Sequence, residues 1–325
     1  MKLVRRQFLH LTAGAAALPI IPRIASALDY PARPVHLLVG YAAAGPTDIS
    51  ARLMGSWLSS RLGRQFVIEN RPGAGTNIAT AAVARAPADG YTLLLVTTAN
   101  AINATLYSKL EFDFIHDITP VAGLTRGPSI LVVNPAVPAK TVSEFIAYAK
   151  ANPGKINMAT AGNGSGPHIY GELFKMMAGV DLVPVAYRGA GPAMTDLLAG
   201  QVQVMFEGIA LALGYIRDGR LRALAVTTAA RSLALPEVPT IGEFLPGYEA
   251  SGFFGVGAPK NTPAGVIAKL NSEINAGLAD PVMKARIAEL GSAPLPMTPD
   301  EFGTLIVEST EKWAKVIRKL GLRVG

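Results

Sequence analysis

The sequence predicts an α/β protein of two doubly wound lobes, joined by a hinge with an interlobe cleft. Three observations predict it. A strand, a small-residue loop and a helix recur four times, over 35–63, 66–84, 155–178 and 182–199. The second and fourth units match, with Arg71-Pro72-Gly73-Ala74-Gly75 in one and Arg188-Gly189-Ala190-Gly191 in the other. Each is followed by a helical pattern, a glycine (Gly90 or Gly200) and a hydrophobic strand, as two related halves require. Two further strand-like runs, 130–135 and 253–258, stand where the chain would pass to a second lobe and return. Strands alternating with helices argue for doubly wound parallel sheets, and such folds bind ligands in clefts at strand ends.

Residues 1–27 read as an export signal. Lys2, Arg5 and Arg6 precede an apolar run over 11–21, and Ala25-Ser26-Ala27 supplies the small-residue cleavage pattern. The mature chain would begin at Leu28, in the periplasm. Arg5-Arg6-Gln7-Phe8-Leu9 resembles a twin-arginine signal, although Val4 and His10 depart from its usual flanks and leave the general export route open. The apolar run is shorter than the roughly 20 residues that span a bilayer.

Cleavage after Ala27 would leave 298 of the 325 residues, a length commonly divided into two domains. It would also remove four basic residues (Lys2, Arg5, Arg6 and Arg23) and no acidic one, so the formal charge of +7 falls to +3. Lys and Arg are scattered and do not alternate with aromatics, which gives no footprint for nucleic acid. The absence of cysteine excludes disulfides and thiolate chemistry, and suits an oxidising compartment.

Along the mature chain, 35–39 is a nearly continuous apolar run, as expected of a strand covered on both faces. The pattern over 49–62 places Leu53, Trp57 and Leu58 at helical spacing and closes at Gly63. Strands follow at 66–68 and 93–97, around a helix over 78–86. Thr141-Val142-Ser143-Glu144 starts a helix as a capping box after the 130–135 strand. Strands at 155–159, 205–206 and 224–226 and a helix over 169–178 belong to the second lobe. After an extended return marked by Pro236, Pro239 and Pro246, three helices are expected over 263–279, 281–290 and 299–320, each with proline near its first turn. The predicted division is 28–127 plus 254–325 for one lobe and 128–253 for the other.

The loop Thr160-Ala161-Gly162-Asn163-Gly164-Ser165-Gly166-Pro167-His168 is the clearest candidate for a site. Its alternate glycines free backbone N–H groups, and the helix behind it adds unpaired donors and a positive dipole end, which together suit an anion. A ligand-free strand-to-helix turn is the competing reading. His168 reads as a neutral hydrogen-bond donor to a bound anion or as a packing residue at the helix start. His36 and His116 read as structural or solvated. Enzyme templates fit poorly. Gly164-Ser165-Gly166 is too short for a nucleophile elbow, Gly162-x-Gly164-x-Gly166 is not the dinucleotide fingerprint, and no glycine loop ends in Gly-Lys-Ser or Gly-Lys-Thr. No cluster of metal-ligating residues is present in the sequence, so neither metal nor cofactor is expected.

Five motifs together resemble one family. They are 41–48, Glu69-Asn70-Arg71-Pro72-Gly73-Ala74-Gly75, Ala88-Asp89-Gly90-Tyr91-Thr92-Leu93-Leu94, Ala161 to Ser165 with His168, and Leu224-Ala225-Val226-Thr227 with Pro236-Glu237-Val238-Pro239-Thr240. The chain from about Tyr30 to its end is similar to the Bug receptors, extracytoplasmic solute receptors of the tripartite tricarboxylate transporter type. The resemblance implies a type II periplasmic binding-protein fold that closes on a small organic carboxylate and delivers it to membrane permease subunits. It implies one wall from Tyr41, Ala44, Gly45, Thr47 and Asp48, and a facing wall from Ala161, Gly162, Ser165 and His168. Thr97, Thr98, Asn100, Tyr187, Gly189 and Glu207 would line the rest.

Two departures from the family pattern matter. Ala42 and Ala44 stand where Pro and Gly are usual, and Glu207 stands where Asp is common. A longer acid at 207 would narrow the cleft or repel a second ligand carboxylate, which points to a monocarboxylate or an amino or heterocyclic acid. Asp48 also reads as a first-turn carboxylate satisfying its own helix start, and Tyr41 as core packing. Arg71 and Arg188 would brace the lobes. The expected protein is a monomeric receptor without catalytic activity. The alternatives are a periplasmic sensor for a signalling protein and an exported enzyme that would depend on His168.

Overall fold

A computed structural model describes residues 30–232 and 234–324. The export signal therefore lies outside the described residues. In chain order the fold runs β1 (Val35–Val39), α1 (Pro46–Leu62), β2 (Phe66–Asn70), α2 (Asn77–Ala84), β3 (Thr92–Thr97), α3 (Thr98–Leu106), α4 (Phe114–Asp117) and β4 (Ile118–Val133). It continues through α5 (Val142–Ala151), β5 (Ile156–Thr160), α6 (Gly166–Ala178), β6 (Leu182–Ala186), α7 (Ala190–Leu198), β7 (Val204–Gly208), α8 (Ile209–Arg217) and β8 (Arg222–Val226). The last part is β9 (Ser251–Pro259), α9 (Ala264–Ala279), α10 (Pro281–Glu289), β10 (Ala293–Pro294) and α11 (Pro299–Leu320).

The long strand β4 explains the two-lobed form. Its first part, Ile118 to Pro128, pairs with β9 in a sheet ordered β2-β1-β3-β9-β4. Its last part, Ser129 to Val133, pairs with β7 and β8 in a second sheet that continues through β5 to β6. One strand thus threads both sheets, and β9 returns beside it. The strands expected to be parallel are so: β1 with β2 and β3, and β5 with β6 and β7. The crossing strands correct the expectation of parallel sheets, because β9 and β4 arrive from the opposite lobe and run antiparallel to their neighbours. The resulting mixed sheets belong to the type II periplasmic binding-protein fold, with two lobes, a hinge and a cleft.

Both faces of β1 are covered, as its apolar run predicts. Leu37 packs in one core cluster with Met54 and Leu58 of α1 and Leu270 and Ile274 of α9, while Leu38 packs in another with Val83 of α2 and Phe302 of α11. The second lobe has its own aromatic core, where Phe206 of β7 lies 5.5 Å from Phe174 of α6, and Phe174 lies 6.1 Å from Phe145 of α5. That cluster extends to Ile102 and Leu106 of α3 and to Trp313 and Ile317 of α11. The C-terminal helix therefore contributes to more than one cluster, Phe302 near its start and Trp313 near its end. The expected cap at Thr141 forms only half of its box. Thr141 accepts the Glu144 N–H at 3.1 Å, but the Glu144 carboxylate reaches one residue further back, to the Lys140 N–H at 2.7 Å. No helix among the described residues is long and apolar enough to cross a membrane.

Candidate functional site

A cavity of ≈ 730 Å³, counting its mouth, lies between the lobes. The first turns of five helices form its wall: Pro46 and Thr47 of α1, Thr98 and Ala99 of α3, Gly166 and Pro167 of α6, Ala190 of α7, and Ile209 and Ala210 of α8. A helix start leaves N–H groups without intrahelical partners and carries roughly half a positive charge. In α1, α7 and α8 the N-cap is a glycine (Gly45, Gly189 and Gly208) with no side-chain cap. None of those three starts is capped by the side chain of its own N-cap residue, although the Gly208 N–H is taken by Glu207 Oε1. Among the described residues no Lys, Arg or His lines the cavity, so any pull on an anion would come from backbone dipoles and neutral hydroxyls.

Six of the fifteen residues expected at the site line the cavity: Tyr41, Thr47, Thr97, Thr98, Ala161 and Glu207. Tyr41 is both buried and on the wall, which unites its two readings. Burial drives the Tyr41 and Tyr170 pKa values upward against hydroxyl bonds to Thr97 and Thr98, so both phenols stay neutral.

The other expected residues hold the wall from behind or form its lip. Asp48 Oδ2 accepts the Ala44 N–H at 3.0 Å and Arg52 Nε at 2.9 Å, which stabilises the left-handed turn at Ala44 (φ 66°). Burial opposes ionisation of Asp48, yet Arg52, Ala44 and Asn70 together hold its carboxyl below the usual range. Ser165 caps α6 by accepting the His168 N–H at 3.3 Å. His168 is not on the wall. Its Nδ1 accepts the Gly164 N–H at 3.2 Å, so that nitrogen carries no proton and ties down the glycine loop. Burial pushes the His168 pKa down and keeps the ring neutral. The ring is thus neutral with its proton on Nε2, as expected of a donor, while its Nδ1 positions the loop.

Asn100 is fully spent in fixing α3. Its Oδ1 accepts the Thr97 N–H at 2.8 Å, and its Nδ2 donates to Thr80 Oγ1 at 2.8 Å and Thr76 Oγ1 at 3.2 Å. Asn100→Ala is expected to cost about 1–3 kcal/mol of stability, the penalty for leaving buried partners unsatisfied. Chemical denaturation would measure it, and unchanged stability would refute this role.

Gly162 and Tyr187 flank a shallower opening at the lip, with Gly40, Gly73 to Gly75 and Arg188. The Tyr187 hydroxyl donates to Asp196 Oδ2 at 2.6 Å. At the lip two hydrogen bonds among the described residues join the lobes. The Ala42 N–H donates to the Arg188 carbonyl at 3.1 Å, across the packing of Gly189 on Ala42 and of Gly45 on Ala190. The Tyr107 hydroxyl donates to the Asn163 carbonyl at 3.3 Å. Arg71 folds back on Glu69 at 2.7 Å, so of the two bracing arginines only Arg188 meets the other lobe, through its backbone.

Sequence reasoning missed several wall residues: Thr125 and Ser129 of β4, Tyr170 of α6, Gly252 to Phe254 of β9, and Ser292. They come from crossing strands and a late connection, which no local motif marks. The starts of α3 and α8 were legible in principle, since Thr97-x-x-Asn100 is a cap pattern and Gly208 precedes an apolar helical run. Glu207 sits where β7 passes into α8. Its Oε1 accepts the Gly208 N–H at 2.8 Å, and its Oε2 is buried without a partner. Burial raises its pKa from 4.5 to about 7 against the pull of that N–H.

Comparison with known proteins places this geometry in a family. The family model described as tripartite tricarboxylate transporter family receptor matches residues 50–322. Protein BugT of Bordetella pertussis is 37% identical over 316 residues, covering 96% of this chain and 95% of that protein. Among solved structures, R. palustris Rpa4515 with adipate is 35% identical with a TM-score of 0.88, over 90% of this chain and 99% of that one. The periplasmic binding protein BugD is 34% identical, also with a TM-score of 0.88 and the same coverage. MatC from Rhodopseudomonas palustris with bound malate is 33% identical with a TM-score of 0.85, over 89% of this chain and all of that one. Extensive matches in sequence and in fold, around a cavity walled by helix starts, lead to one assignment: the chain belongs to the tripartite tricarboxylate transporter receptor family, the Bug or TctC-like solute-binding proteins.

Proposed function

We propose that the protein captures a small organic carboxylate in the periplasm and delivers it to the permease subunits of a tripartite tricarboxylate transporter, without transforming it. The observation that carries this reading is the convergence of helix starts without N-cap side chains from both lobes, α1 on one side and α7 and α8 on the other, on a cavity with no cation in its wall among the described residues. Each such start favours an anion by up to ~2 kcal/mol in a partly buried setting. Relatives solved with adipate and with malate support a carboxylate. The same reading assigns 28–127 with 254–325 to one lobe and 128–253 to the other, a mature start at Leu28 and a monomeric receptor.

Native mass spectrometry of protein purified from the periplasm tests the proposal. One organic acid per chain should be released on unfolding, rebind with one-to-one stoichiometry and return unaltered after prolonged incubation. Consumption of the acid would instead favour an enzyme, and failure of any carboxylate to raise the melting temperature would overturn the receptor reading.

A further inference from the structure

Among the described residues Glu207 is the one acidic side chain in the cavity wall, and it is 4% exposed. Gly208 occupies one of its oxygens, while Oε2 faces no partner among the described residues. A buried carboxylate normally has a cation beside it. The Tyr41 and Tyr170 phenols share the cavity wall with Glu207 and feel its charge, and both are neutral. On the elements packed against β7, the remaining ionisable groups lie off the cavity wall: Arg126 on β4, His168 and the Glu172–Lys175 pair on α6, Asp196 on α7, and Tyr215 and Arg217 at the far end of α8. Strand β5 carries no ionisable residue.

We infer that Glu207 meets the solute as a neutral carboxylic acid, its Oε2–H donating to an acceptor at the far end of the bound acid, so that the site selects dicarboxylates and takes up a proton as it fills. This rests on the carboxylate-receptor reading. The inference reverses the expectation from charge alone, which treats Glu207 as ionised and therefore as repelling a second carboxylate. Burial already favours the protonated form, and a solute anion in the same cavity favours it further. The proton comes from solvent and stays on Glu207. The orphaned oxygen becomes a hydrogen-bond donor satisfied by ligand, and its unpaired cost in the empty protein becomes selectivity.

The test uses two matched series that differ only at the far end: adipate, hexanoate and ε-aminohexanoate, then succinate, butyrate and γ-aminobutyrate. Titration calorimetry in buffers of different ionisation enthalpy reads affinity and proton uptake together. The tighter dicarboxylate should bind at least about tenfold more strongly than its monocarboxylate. Its affinity should fall about tenfold between pH 6 and pH 8 as free Glu207 ionises, with close to one proton taken up near pH 8. Glu207→Gln, which keeps a neutral donor, should retain dicarboxylate binding and lose both the pH dependence and the uptake. Equal binding of dicarboxylate and monocarboxylate without uptake by the unaltered protein would overturn the role of Glu207 alone. Preference for the amino acids, with affinity rising with pH, would show an ionised Glu207 and overturn it as well. Failure of all six acids to bind would overturn this proposal, and the receptor reading beneath it would fall too only if no other carboxylate raised the melting temperature.

Discussion

Gly75→Val is expected to weaken solute binding by about 100-fold or more while both lobes stay folded. Gly75 adopts φ 61°, a left-handed conformation that costs a side-chain-bearing residue about 1–2 kcal/mol, and more if it is β-branched. The larger effect is at the lip. A Cβ there would fall on the Asn163 carbonyl oxygen of the facing loop, and within 3.2 Å of the Tyr107 hydroxyl that donates to that carbonyl. Neither backbone can yield, so the lobes would have to part. If the closed form were disfavoured by about 3 kcal/mol, the apparent affinity would fall in proportion to its population, about 100-fold. Gly164, whose Cβ would meet the Asn103 side chain, is the counterpart on the second lobe. Calorimetry would measure the loss, and small-angle scattering should show a variant that no longer contracts with solute. Undiminished affinity would mean that this contact does not govern closure.

Trp313→Ala should cost about 3–5 kcal/mol, the range for removing a large aromatic from a packed core. Trp313 is 2% exposed on α11, and its ring centroid lies 5.3 Å from that of Tyr170 in α6. Tyr170 in turn lines the cavity. The C-terminal helix thus buttresses a wall residue that lies more than a hundred positions earlier in the chain. The variant should lose roughly 10 °C in melting temperature, and Tyr170, freed on one side, should hold solute less well. Denaturant unfolding measures the first effect and solute titration the second. A loss below about 1 kcal/mol would show that Trp313 is not part of the second lobe's core.

These two predictions rest on different kinds of legibility. The glycine motif around Gly75 is visible in the sequence, because Arg-Pro-Gly-Ala-Gly between a strand and a helix marks a turn, whose left-handed positions Gly73 and Gly75 share with Ala74 and Thr76. Its partner is not visible, since Asn163 meets it only after the chain has built a second lobe and folded back. Trp313 follows the same rule. Its helix is announced by Pro299 and an apolar spacing, but nothing local says that one end of that helix serves a different core from the other. His168 illustrates the converse, a residue conspicuous in the sequence that lies off the cavity wall and whose Nδ1 is used inside its own loop.

From the sequence alone came the recurring strand–loop–helix units, the relation between the halves and the family, because each is read from short segments whose residues are neighbours in the chain. Tertiary structure decided how β4 threads both sheets, which helix starts face the cavity, and that Glu207 stands there with an oxygen unclaimed. Burial and the partners of a polar group are properties of contacts between distant segments, and no local pattern encodes them.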